Sequence, residues 1–67
     1  MISIDKVEIF SMVVQAMDKN DMRTASDLMK IISKSIDKEK KSNQFSFEIK
    51  VDNKKDEKLI RKLREES

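Results

Sequence analysis

Cysteine, histidine, tyrosine, glycine and proline are all missing from these 67 residues, and each absence removes a class of chemistry. Without cysteine, no disulfide braces a chain short enough to be marginally stable alone. Without Cys or His, zinc and copper lose their usual ligands, so neither a metal nor a cofactor is expected. Without glycine, the backbone cannot approach a phosphate closely enough to build a Walker or dinucleotide loop. Eight serines are present, but none has a recognisable base partner and no carboxylate sits on an apolar face, so catalysis is not expected. Long apolar runs are missing too. The longest is Met12-Val13-Val14, far short of a membrane span. Met1-Ile2-Ser3-Ile4-Asp5 has neither the basic start nor the apolar core of a signal peptide. Together with the lack of cysteine, this points to the cytoplasm.

What the chain does have is charge and helical periodicity. Fifteen Lys and Arg stand against thirteen Asp and Glu, a net charge of +2, which is a small lysine excess rather than a basic patch. The clearest pattern is Asp21 to Ile36. There Met22, Ala25, Leu28, Met29, Ile32 and Ile36 line one side of a 3.6-period helix, with Arg23, Asp27, Lys30, Lys34 and Asp37 opposite.

Ahead of it, Asp5-Lys6-Val7-Glu8 has the form of a capping box and predicts a helix from Lys6 to about Lys19. Val7, Ile9, Phe10, Met12, Val13, Val14, Ala16 and Met17 sweep roughly 220° of its circumference. One antiparallel neighbour covers about a third of a helix, so apolar surface is left over. Lys19-Asn20 reads as a tight turn, with Asn20 suited to the left-handed conformation and Asp21 to a helix cap.

Beyond a polar break, Phe45, Phe47, Ile49 and Val51 alternate with Ser46, Glu48 and Lys50 and predict a strand. Its mate is either Met1 to Ile4, the same strand of a second copy, or the sheet edge of a partner. Asp56 is placed to cap a last helix, on which Leu59, Ile60 and Leu63 form a narrow stripe. The predicted fold is therefore mainly α: an antiparallel helical hairpin (residues 6–19 and 21–40), a short strand (45–51) and a C-terminal helix (56–66). It makes one domain, 1–67. Eleven of the sixteen residues from Asp52 onward are charged, so 52–67 are expected to be mobile when unbound.

Residues 14–43, with an apolar first helix, a short Asp/Asn-rich turn and a second helix ending in a Glu-Lys-Lys run, resemble the N-terminal helical hairpin of small bacterial and phage ATPases of the AAA class. The resemblance covers under half of the chain and implies a docking or oligomerisation piece. It implies no ATPase activity, because the family's nucleotide-binding motifs are absent. The 45–51 strand departs from that pattern.

Two functional expectations follow. The first is a non-catalytic interaction and oligomerisation module, a small regulator, inhibitor or adaptor of bacterial or phage type. It docks on a protein partner and on itself, a dimer before other stoichiometries, through Phe10, Met12, Val13 and Met17 and through Phe45, Phe47, Ile49 and Val51. Met12, Met17, Met22 and Met29 would suit an adaptable surface. The second is a dimeric nucleic-acid-binding regulator that contacts phosphates through Lys38, Lys40, Lys41, Lys54, Lys55 and Arg61. Interleaved carboxylates weaken it. Asp18-Lys19-Asn20-Asp21 opens like a calcium loop, but Arg23 stands where glycine is required.

Overall fold

Asp5 closes one element and opens the next. It is the last residue of strand β1 (Ile2–Asp5) and the N-cap of helix α1 (Lys6–Asp18), its carboxylate accepting from the Val7 N–H at 2.7 Å. The structure, a computed structural model, describes residues 1–66. Helix α2 spans Met22–Ser42, strand β2 Glu48–Val51 and helix α3 Lys54–Glu66. The predicted mainly α fold is the observed one.

The turn between α1 and α2 is built by two polar side chains. Asn20 takes the left-handed conformation at φ 62°, and the Asp21 N–H donates back to the Ala16 carbonyl at 2.8 Å. Asp21 then caps α2, accepting from the Thr24 N–H at 3.2 Å and the Thr24 hydroxyl at 2.7 Å. A turn this short reverses the chain, so the helices pack as an antiparallel pair. A second left-handed asparagine, Asn43 at φ 59°, ends α2.

β2 pairs antiparallel with β1, Ile2 opposite Val51 and Asp5 opposite Glu48. Of the mates the alternation left open, the N-terminal segment is the one used. The strand is shorter than the predicted 45–51, because the chain opposite Phe47 has already become α1 at Lys6. Helix α3 starts two residues before the expected 56. Its cap is Asn53 instead of Asp56: the Asn53 side chain accepts from the Lys55 N–H at 2.9 Å and the Asp56 N–H at 3.4 Å. The capping box at Asp5 is only half used. Glu8 accepts from Arg64 of α3, at 3.0 Å from Nε and 3.2 Å from Nη2, and so ties the first helix to the last.

Among the described residues, twelve buried side chains form the core: Ile4, Ile9, Met12, Val13, Ala16, Ala25, Leu28, Ile31, Ile32, Ile49, Val51 and Ile60. Leu59 and Leu63 of α3 and Ile2 of β1 pack partly against it. The two-stranded sheet and α3 thus share the inner side of the hairpin. On α2 the buried arc is turned from the predicted stripe. Ile31 is inside, while Met22, Met29 and Ile36 are not.

The rotation is measurable. Leu28→Ala, at a fully buried position, is expected to cost about 2–5 kcal/mol, whereas Met29→Ala on the neighbouring position should stay within about 1 kcal/mol. Urea unfolding of the two variants compares them directly, and equal losses would contradict this buried arc.

Candidate interaction surface

Val7, Phe10, Val14 and Met17 recur on α1 at spacings of three, four and three. That is the seam spacing of packed helices, yet they are 77, 49, 58 and 54 % exposed. On α2, Met22, Met29 and Ile36 recur every seven residues and are 53, 47 and 42 % exposed. Ser26 and Ser33, also exposed, fall in the same sector between them.

Helix geometry places the two stripes on one surface. On α1 the stripe is centred about 130° round from the buried Ile9–Met12–Val13–Ala16 arc, and on α2 about 90° round from the Ala25–Leu28–Ile31–Ile32 arc, both in the same rotational sense. Because the helices are antiparallel, the same sense means the same side of the hairpin. That side lies away from the sheet and α3. Seven large apolar side chains at about half exposure amount to roughly 600 Å², at the upper end of what a monomeric protein leaves uncovered in one patch.

Of the eight interface residues expected from the sequence, the structure separates four from four. Phe10 and Met17 are on this face, and Phe45 and Phe47 are 82 and 85 % exposed. Met12 and Val13 are instead core residues, as are Ile49 and Val51, so these four have no surface to offer a partner. Val7, Val14, Met22, Met29 and Ile36 belong to the face and were not among the eight. The three-four-three spacing of α1 carried the missing signal.

Phe45 and Phe47 leave the sheet because their opposite strand ends. The Lys6 N–H donates to the Phe47 carbonyl at 2.8 Å, continuing the register of the ribbon. But Lys6 is already helical, and α1 turns away before its chain can cover the Phe47 ring. Glu39 holds this corner. Its carboxylate lies 2.9 Å from the Lys6 ammonium and accepts from the Ser46 N–H at 3.3 Å, and its carbonyl accepts from Asn43 and Gln44. The Lys6 hydrogen bond, aided by that from Ser46, holds the Glu39 carboxyl below its ordinary 4.5. Hydrogen bonds from Thr24 lower Asp21 likewise.

The residues of the phosphate-binding expectation are scattered. Lys40 and Lys41 lie in the last turn of α2 and Lys54 and Lys55 in the first turn of α3. Lys38 faces Asp52 at 3.8 Å and Arg61 faces Glu57 at 3.8 Å. A groove of about 520 Å³ between α2 and β2 mixes Lys34, Lys38 and Lys50 with Glu39, Asp52 and Asp56, so it presents no field of one sign. Among the described residues no cluster of His, Cys, Asp or Glu could hold a metal ion, and no helix is long and apolar enough to cross a membrane. No protein-family model matches the chain, and no curated protein or solved structure shows significant similarity to it.

The Glu39 corner makes a pH-dependent contribution of known sign. Its carboxyl binds a proton less tightly folded than unfolded, so its stabilisation is complete above the ordinary 4.5 and is lost as pH falls through the lower folded value. Stability measured by urea midpoint should therefore fall more steeply below that pH in the parent chain than in Glu39→Gln. Parallel pH profiles would mean that the corner contributes nothing.

Proposed function

We propose that this chain is a non-catalytic protein-docking module whose working surface is the outer face of the α1–α2 hairpin. One observation carries the reading: seven large apolar side chains from two helices gather on a single side of the molecule while the other side supplies the whole core. Scattered exposed apolar residues are ordinary, but a contiguous patch of this size is what a binding surface presents. Three of the seven are methionines, which adapt their shape to a partner at low cost. A docking role also agrees with the resemblance of residues 14–43 to an ATPase-associated helical hairpin. The phosphate-contact alternative has weaker support, since two of its six cations face carboxylates and the others sit on separate elements.

Cross-linking in the cells that make the protein tests the reading. Lysine-reactive adducts should concentrate at Lys30 and Lys40, beside the face, and should drop several-fold in Val14→Glu. That substitution sits at an exposed position, so the helical circular dichroism should change little. Adducts that survive Val14→Glu unchanged would refute the assignment.

A further inference from the structure

The hairpin face specifies its own occupant through charge, shape and size. Of the three charges on α1, Glu8 is bound to Arg64 on the side away from the face, which leaves Lys6 and Asp18 to cancel, whereas α2 carries six basic residues against three acidic ones, a net charge of +3. Large side chains follow one another closely along the α1 stripe. Along the α2 stripe they are interrupted by Ser26 and Ser33, so that Met22, Met29 and Ile36 stand apart with gaps between them. A helix with closely set knobs and no net charge at the face therefore lies beside a basic helix with spaced gaps.

Resting on the reading of this face as the docking surface, we propose that its partner is a second copy of the chain. The two hairpins stack face to face about a two-fold axis parallel to the helices, so that each α1 packs on the other copy's α2. This arrangement keeps the two basic helices apart and fills the gaps beside Ser26 and Ser33 with α1 side chains. The other two-fold packing, α1 on α1 and α2 on α2, sets +3 against +3 and gap against gap. Like charges across an interface are unfavourable, and unfilled gaps lose their packing contacts. The roughly 600 Å² of apolar face, together with a polar rim, comes close to the 800 Å² or so per partner of a standard interface.

The rims make the arrangement testable, and the lack of cysteine makes the test clean. Ser11 borders the α1 stripe and Lys30 the α2 stripe, each on its outer edge and each exposed. The Ala16–Asp21 hydrogen bond fixes the level of the hairpin turn, and counting back along the two helices puts Ser11 and Lys30 at similar heights. In the proposed dimer Ser11 of one copy meets Lys30 of the other, while the two Ser11 positions are far apart. A mixture of Ser11→Cys and Lys30→Cys chains should therefore form the mixed disulfide under mild oxidation, several-fold in excess of either homodimer. Sedimentation equilibrium at about 100 µM should give twice the chain mass, and Val14→Glu should raise the dissociation constant by at least about tenfold.

Predominant homodimer disulfides overturn the packing arrangement. A chain that sediments as a monomer at that concentration overturns self-association altogether. Val14-dependent cross-links in cells, with a monomer in the centrifuge, leave the docking face standing with a different protein on it. Loss of both removes the docking reading as well.

Discussion

Helix α1 carries apolar side chains around most of its circumference, and the chain has only enough elements to cover one side of it. The sheet, α3 and α2 meet Ile9, Met12, Val13 and Ala16. Val7, Phe10, Val14 and Met17 remain outside. Nothing else in the fold is free to reach them, because β2 is committed to β1 and α3 is tied to the opposite side of α1 through Arg64 and Glu8. The exposed face is a consequence of which side of the hairpin the third helix takes.

That choice is made by short-range polar contacts at the helix ends. Asp5 and Asp21 set where the two helices begin, Asn20 sets how sharply the chain reverses, and Glu39 fixes the exit from α2 against the entry to α1. Between them they bring β2 alongside β1. The ribbon then closes the inner side of the hairpin with Ile4, Ile49 and Val51. Hydrophobic burial supplies the free energy, but it is non-directional. The caps and the Glu39 corner give it a direction.

Much of this was legible in the residues themselves. The Asp-x-x-Glu start of α1, the Lys19-Asn20-Asp21 reversal and the three-helix order all follow from local rules, and local rules act within a few residues. What escaped were decisions made by distant neighbours. The alternation of Phe45, Phe47, Ile49 and Val51 is continuous in sequence, yet only its second half is buried, because whether a strand residue is covered depends on how far the opposite strand runs. In the same way, the stripe of α2 is wide enough to be turned either way. Which third became core depended on where β2 lies, and no property of α2 encodes that. Met12 and Val13 lie in the core rather than on the expected surface for the same reason: a helix apolar over 220° does not say which part will be inside.

On the proposed self-association, the composition of the chain becomes coherent. A domain this small has little apolar area to offset the entropy of ordering its backbone, and without Cys or His it has neither a disulfide nor the usual zinc ligands to add. A second copy placed on the hairpin face adds burial where the first copy has run out of chain, and it stabilises the fold by mass action in proportion to concentration. Folding and assembly would then be linked rather than successive. The same link explains why the face carries methionine, valine and serine instead of a rigid aromatic cluster. A surface that is exposed in the monomer and covered in the dimer must be apolar enough to associate and not so apolar that the lone chain sticks to everything. Spacing the large side chains of α2 with serines keeps that balance, and it makes the opposing α1 the one helix in this molecule shaped to fill the spaces.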